Sequence, residues 1–381
     1  MADTEPTALG QVARVFLKLG TVAFGGPAGH IAMMEEEVVR RRGWLSHAEF
    51  LDYLGATNLI PGPNSTELAI HIGRARAGWP GLLVAGACFI LPAALIVIAI
   101  AWAYLRFGRL PAALGVLAGV KPVVIAVVLQ ALWGLGRSAL KSPALVALAA
   151  AAVVALALGV HELLVLLGAA YAAGAIRLIV RSPGTTTTPA LLPFGPMLAG
   201  AGAAAGAATA TAPLWVLFAT FAKIGAVLFG SGYVLLAFLR ADFVGRLGWL
   251  TERQLLDAVA VGQITPGPVF TTATFVGFVT NGWPGAVIAT IGIFLPAFVF
   301  VALSGPLIPW LRRSPVAGAA LDGVNVASLG LMVVVTWQLA RAAIVDLPTA
   351  GLAVVALVLL TRFRFNSAWV VLGGALAGLA L

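Results

Sequence analysis

Apolar runs near the length of a helical membrane crossing, about 20 residues, follow one another along this chain. They fall at roughly 80–105, 111–137, 143–160 and 162–180, and again at 284–304, 316–341, 346–361 and 366–381. Some are short for a crossing, which predicts tilted or partly buried helices. A further apolar run at 190–212 is rich in Ala and Gly and has crossing length. Segments that alternate with the period of a strand are few, which argues against a β-barrel. The stretch before each set of runs is different. Residues 12–40 are interrupted by Phe24-Gly25-Gly26-Pro27, and residues 47–77 by Pro61-Gly62-Pro63. Proline removes a helix donor and glycine frees the backbone, so both points are predicted helix breaks. The flanking pieces are too short to cross, which predicts two broken hairpins that enter and leave on one side.

The same pattern is written twice. Phe16-Leu-Lys-Leu-Gly-Thr-Val-Ala-Phe-Gly25 matches Phe221-Ala-Lys-Ile-Gly-Ala-Val-Leu-Phe-Gly230. At the same offset Gly43-Trp44-Leu45-Ser46 matches Gly248-Trp249-Leu250-Thr251, Asp52 matches Asp257, and Pro61-Gly62-Pro63 matches Pro266-Gly267-Pro268. One residue out of step, Trp79-Pro80 matches Trp283-Pro284, Leu91-Pro92 matches Leu295-Pro296, Gly119-Val120 matches Gly323-Val324, and Trp133 matches Trp337. Matches of Trp, Pro, Lys and Asp in fixed order are not chance likeness between Ala- and Leu-rich segments. The expected organisation is a first repeat at 12–180, a linker with an extra membrane crossing at 181–216, and a second repeat at 217–381. The linker opens with the turn-rich Arg181-Ser-Pro-Gly-Thr-Thr-Thr-Thr-Pro189.

Composition agrees. The 381 residues are 61% hydrophobic and only 10% charged, where a soluble domain is about a quarter charged. Soluble enzymes and nucleic-acid binders are thereby excluded, and the lipid bilayer is the expected surrounding. The net charge of +9 sits in short basic clusters between apolar runs, as in cytoplasmic loops. With a cytoplasmic N-terminus and returning hairpins, Arg40, Arg41, Arg42, Arg74, Arg76, Arg137, Lys141, Arg177 and Arg181 lie inside. An extra crossing at 190–212 then inverts the second half and brings Arg312, Arg313, Arg362 and Arg364 inside, with Arg106, Arg109, Arg246 and Arg341 as exceptions. Two halves pointing the same way are the alternative. The acidic start of the chain carries no basic n-region, so no cleaved signal peptide is expected. One cysteine, Cys88, and four scattered histidines offer no metal motif, and no cofactor is expected. The fold expected is therefore an all-α polytopic membrane protein of two homologous, inverted repeats. Each has two broken re-entrant hairpins followed by about four spanning helices.

Discontinuous helices in inverted repeats are the usual architecture of secondary transporters. A helix restarting after a break offers free N–H groups and partial positive charge, which suit an oxyanion. The candidates at the breaks are Gly25, Gly26, Pro61, Gly62, Pro63, Asn64, Ser65 and Thr66 in the first half. Those of the second are Gly230, Ser231, Gly232, Pro266, Gly267, Pro268, Thr271 and Thr272. Lys18 and Lys223 occupy equivalent positions in apolar helices, where a lysine costs about 2.5–3.5 kcal/mol at the centre. They either add charge to an anion site or reach back to the interface. Glu67 follows the first break, where the second half has Thr272. It either exchanges a proton or gates the anion, or it complements the helix dipole as a first-turn acid. Lys121, matched by Asn325, is a lone charge in a spanning helix that could line the path. Asp52 and Asp257 are expected to pair with arginines, and His30 and His71 to pack. Glu35-Glu36-Glu37 before Arg40-Arg41-Arg42 suggests i,i+4 pairs at a solvated hairpin end. Nothing resembles the nucleophile–base or metal cluster of an intramembrane enzyme.

With these residues in hand, the sequence resembles the chromate ion transporter family in its long, two-domain form. The resemblance rests on Phe16-Leu-Lys-Leu-Gly20, Phe24-Gly-Gly-Pro-Ala-Gly-His30, Gly43-Trp44-Leu45 and Asn58-Leu-Ile-Pro-Gly-Pro-Asn-Ser-Thr66, with Phe229-Gly-Ser-Gly232 and Gln263-Ile-Thr-Pro-Gly-Pro268 in the second half. It implies an inner-membrane protein that exports chromate and confers chromate resistance, with sulfate as the natural competitor. A passive anion channel and a sulfate or other anion exchanger are the alternatives, and a homodimer is left open. In the second half Ser231-Gly232 replaces Gly26-Pro27 and Val269-Phe270 replaces Asn64-Ser65. The first Pro-Gly-Pro hairpin is therefore expected to dominate binding.

Overall fold

The computed structural model describes residues 8–24, 26–108, 110–181, 213–229 and 232–379. The run at 190–212 and most of the linker lie outside them. The first half comprises α1 (Ala8–Val22), α2 (Gly26–Glu35, continued by a π-helix Glu36–Arg41), α3 (His47–Thr57), α4 (Asn64–Phe107), α5 (Pro111–Ala139), α6 (Pro143–Ala157) and α7 (Glu162–Arg181). The second comprises α8 (Leu214–Val227) and α9 (Leu235–Leu239), the latter between a 3-10 turn Gly232–Val234 and a π-helix Arg240–Arg246. Then come α10 (Glu252–Ile264), α11 (Thr272–Arg313, after a 3-10 turn Val269–Thr271), α12 (Pro315–Ala343), α13 (Leu347–Thr361) and α14 (Ser367–Gly378). Both predicted breaks fall between helices in each half, and no strand occurs among the described residues.

The helix starts follow from local chemistry. Ser46 and Glu49 form a capping box at α3, and Thr251 and Gln254 form its counterpart at α10, each satisfying N–H groups that the first turn leaves free. Proline at the first turn opens α5, α6 and α12, where its missing N–H costs nothing.

Two of the long helices are folded in the middle. The helical path of α4 is interrupted at Ala77 and Gly78, and that of α11 at Asn281 and Gly282, with nearly identical angles. Across the second turn the hydroxyls of Thr274 and Thr290 bond at 2.7 Å, so the two arms run back along each other. Asn64 bonds Asn58 and His71 stacks on Tyr53, so the short arm, 64–76, runs back along α3. The long arm, 79–107, matches the first predicted span. Five helices among the described residues are long and apolar enough to cross a membrane. Outward-facing side chains are apolar, with the equivalent Trp133 and Trp337 both 69% exposed. This is a multi-pass membrane protein.

The halves interlock. In each, the first helix packs on the folded one, α1 on α4 and α8 on α11, and α4 also meets α11. The last two helices cross over: α6 and α7 pack on α12, while α13 and α14 pack on α5. Such reciprocity is what an approximate two-fold axis requires. The exchange depends on Gly119 and Gly323, the pair matched in sequence. A Cβ on Gly119 would overlap the carbonyl of Gly374 in α14, and one on Gly323 that of Ala169 in α7. Small residues let membrane helices approach to backbone contact.

Candidate functional site

The four breaks converge, and they do so across the halves. The Gly62 N–H donates to the Leu228 carbonyl at 2.8 Å, and the Gly267 N–H donates to the Ala23 carbonyl at 2.9 Å. Each Pro-Gly-Pro break thus bonds the carbonyl end of the first helix of the opposite half. That carbonyl end carries partial negative charge, and the glycine N–H neutralises it directly. Gly62 has φ +137° and Gly267 φ +83°, angles open to glycine and strained for other residues. Space is equally tight, since a Cβ on Gly267 would lie 2.6 Å from Ala93 Cβ.

Around the first break, polar side chains are buried. His30 Nε2 lies 3.2 Å from the Ala23 carbonyl, and Nδ1 lies 3.3 Å from Ser65 Oγ. A carbonyl only accepts, so Nε2 carries the hydrogen and Nδ1 receives the Ser65 hydroxyl. His30 therefore ties the end of α1 to the start of α4. Asn64 Nδ2 donates to Asn58 Oδ1 at 2.9 Å. Thr66 and Glu67 are fully buried, and among the described residues neither the Thr66 hydroxyl nor either Glu67 oxygen has a hydrogen-bond partner.

The second break is closed. Leu235 stands where the first half has His30, and the Phe270 ring occupies the position of Ser65, 3.5 Å from where a Cβ on Gly232 would sit. Thr271 and Thr272 donate to the carbonyls of Pro268 and Val269, both at 2.8 Å, so their hydroxyl hydrogens are engaged. The cavity beside Gly232, Gln263 and Thr272 measures about 10 Å³, room for at most one water. Gly25, Gly230 and Ser231 lie outside the described residues.

The matched lysines are placed away from the breaks, each on an acid. Lys18 bonds Glu37, and Lys223 bonds Asp242 at 2.6 Å. Arg41 approaches Glu37 at 3.5 Å, and Arg246 approaches Asp242 at 3.0 Å. Each clasp closes a hairpin by joining its two arms, and the acids share the offset of the lysines. The Lys18 ammonium holds the Glu37 carboxyl below the usual carboxylate range. The π-turn also changes the expected i,i+4 pairing. Spacings of five residues occur as well, with Arg40–Glu35 at 3.5 Å, Arg41–Glu36 at 3.0 Å and Arg42–Glu37 at 3.5 Å.

Lys121 is paired across the halves. Its Nζ lies 3.0 Å from Asp257 Oδ1 on α10, and the Tyr104 hydroxyl donates to Asp257 Oδ2 at 2.9 Å. Asp257 thus takes a lysine and a tyrosine where the sequence suggested an arginine. His71 stacks on Tyr53, with ring centroids 5.4 Å apart. Arg74 donates to the carbonyls of Val301 and Ala302, both at 3.0 Å. Pro306, four residues beyond Ala302, has no N–H to offer that carbonyl.

A family described as chromate transporter matches this chain twice, over residues 10–175 and 215–379. The chain belongs to the chromate transporter family. Both matched regions carry both kinds of break. Among relatives, a chromate transport protein of Cupriavidus metallidurans is 35% identical, covering 99% of this chain and 94% of that protein. A chromate transport protein of Pseudomonas aeruginosa is 32% identical, covering 98% and 92%. A probable chromate transport protein of Synechococcus elongatus is 32% identical, covering 92% and 89%. No solved structure matches. The family is one of transporters, and its substrate class is an oxyanion.

Sequence reasoning found the breaks and missed what joins them. His30 ties the first break together, Tyr104 and Lys121 meet at Asp257, and Glu37 and Asp242 hold the lysines of the hairpins. For the two clasp acids a signal was present, because Glu37 and Asp242 recur at the repeat offset. For His30 the signal was its place five residues after Gly25.

Proposed function

We propose that the protein is a secondary transporter that exports chromate across the inner membrane, binding it where the breaks of the two halves meet. The observation that carries this reading is the reciprocal pair of bonds, Gly62 to Leu228 and Gly267 to Ala23. They bring the start of α4 beside the carbonyl ends they neutralise. The N–H groups of Asn64 and Ser65, with the side chains of Asn64 and Thr66 and the Ser65 hydroxyl once it is released from His30, form the polar face offered to a tetrahedral dianion. The second break contributes backbone through Gly267 and is otherwise filled by Phe270. Lys18 and Lys223 act through the hairpins they clasp, since their charges are already met by Glu37 and Asp242. Lys121 gates, because its ion pair with Asp257 spans the halves and must break if they separate. An inside-negative potential favours expulsion, by about 2.3 kcal/mol per charge per 100 mV.

The halves are read as inverted. A Cβ on Gly86 would run into the Phe298 ring, which supports antiparallel long arms; in parallel register Gly86 would face Thr290. Cysteines at positions 75 and 280 test this: labelling from opposite faces is expected, and labelling from one face contradicts it. The function is tested by uptake of radiolabelled chromate into inverted vesicles with sulfate as competitor. Saturable uptake with counter-transport is expected, reduced by sulfate. Linear, non-saturating flux would indicate a channel, and transport of sulfate without chromate would assign another substrate.

A further inference from the structure

We propose that Glu67 is a proton-binding site linked to occupancy of the junction, so that protonation of its carboxyl and binding of the oxyanion favour one another. The inference rests on the reading that an oxyanion binds at this break. Glu67 stands in the first turn of α4, is fully buried, and has no hydrogen-bond partner on either oxygen among the described residues. It faces the break itself, for a Cβ on Gly62 would overlap Glu67 Oε1 and lie 3.7 Å from Ala297 of α11. The adjoining Thr66 hydroxyl is likewise buried without a partner among the described residues. The second half has Thr272 here, and its hydroxyl is spent on the Val269 carbonyl.

Among the described residues no cation pairs with Glu67. On α4 the next titratable groups are His71, stacked on Tyr53 of α3, and Arg74, turned to the carbonyls of Val301 and Ala302. On α2, His30 is held by Ala23 and Ser65. From α11, Ala297 brings no charge, and the end of α8 brings only the Leu228 carbonyl, already bonded to Gly62. A buried carboxylate without a partner is costly, so in this state the carboxyl keeps its proton. An oxyanion arriving at the same helix start repels a carboxylate and accepts a hydrogen bond from a carboxylic acid. Anion and proton therefore bind together, and the coupling is reciprocal. When the anion leaves, the carboxyl holds its proton less tightly and releases it to water at a lower pH than when the anion is bound.

Two measurements on the purified full chain decide this. The first is the infrared difference between wild type and Glu67→Gln without anion. A carboxylic-acid carbonyl band lost in the variant is expected at neutral pH, and its absence from wild type overturns the proposal. The second is equilibrium binding of radiolabelled chromate against pH in both proteins, where the protonation of chromate itself is common and cancels. Above the pH at which that band is lost without anion, wild-type affinity should fall by up to about tenfold per pH unit beyond that of Glu67→Gln, the limit for one linked proton. Parallel pH profiles would overturn the linkage. If wild type binds no chromate at any pH, the oxyanion reading fails, while the infrared band still decides the protonation of Glu67.

Discussion

The two Pro-Gly-Pro breaks are built alike and furnished differently. Both place a left-handed glycine whose N–H meets a carbonyl of the opposite half. At the first, Asn64, Ser65, Thr66 and Glu67 follow, with His30 behind them. At the second, Val269 and Phe270 fill the space, Leu235 replaces His30, and the threonine hydroxyls bond their own backbone. The repeat therefore builds the scaffold twice and keeps the larger set of polar side chains at one break. A duplicated fold keeps what its symmetry needs, such as the glycines and the lysine–acid clasps. It is free to change what only one site uses.

That contrast is easiest to break at its shared element. Gly267→Ala forces a left-handed backbone on a residue with a side chain and pushes Cβ against Ala93. Strain of about 1–3 kcal/mol and overpacking of about 1–3 kcal/mol should each appear as lost thermal stability in detergent, with transport abolished. Gly62→Ala should behave alike, because the scaffold role is common to both breaks. A tolerated Gly267→Ala beside a damaging Gly62→Ala would show that only the first junction is structural.

Lys121 and its counterpart Asn325 give the next contrast. Lys121→Ala leaves Asp257 buried without its ion-pair partner and should cost about 3–5 kcal/mol, read from chemical or thermal unfolding. Adding Asp257→Leu should restore much of that loss. The same alanine at Asn325 should have a small effect. At the breaks, His30→Leu imports the residue of the second half. It leaves the Ala23 carbonyl and Ser65 one partner short and should cost about 1–3 kcal/mol, while Leu235→Ala should leave chromate flux near wild type.

The smallest effect belongs to the clasps. Glu37 is held below the usual carboxylate range by Lys18, so its contribution is complete above that range and lost as pH falls through its lowered value. Glu37→Gln should therefore lower stability at neutral pH by less than about 1 kcal/mol, since Lys18 is half exposed. Melting curves of the two proteins should converge in strong acid.

Much of the scaffold was legible because Trp, Pro, Gly and Lys recur at a fixed offset. The breaks follow from those residues and the long spans from apolar run lengths, while the runs at 143–160, 346–361 and 366–381 form helices shorter than a crossing. The junction was not legible, because a repeat shows which residues are equivalent and says nothing of which half each one touches. Gly62 could meet the end of α1 or of α8, and only packing selects Leu228. The pairing of Lys18 with Glu37 depends on the hairpin closing through a π-turn, which no helical period announces. The tie from Lys121 to Asp257 joins residues of different halves with no shared motif.

The central claim is that the first break holds the oxyanion and the second only frames it. Equilibrium binding of radiolabelled chromate to purified protein tests it directly, comparing wild type with Asn64→Ala/Ser65→Ala and with the equivalent Val269→Ala. The first variant should bind at least about tenfold more weakly, a loss of about 1.4 kcal/mol, and the second should bind like wild type. Unchanged affinity in the first variant, or an equal loss in both, would contradict the account.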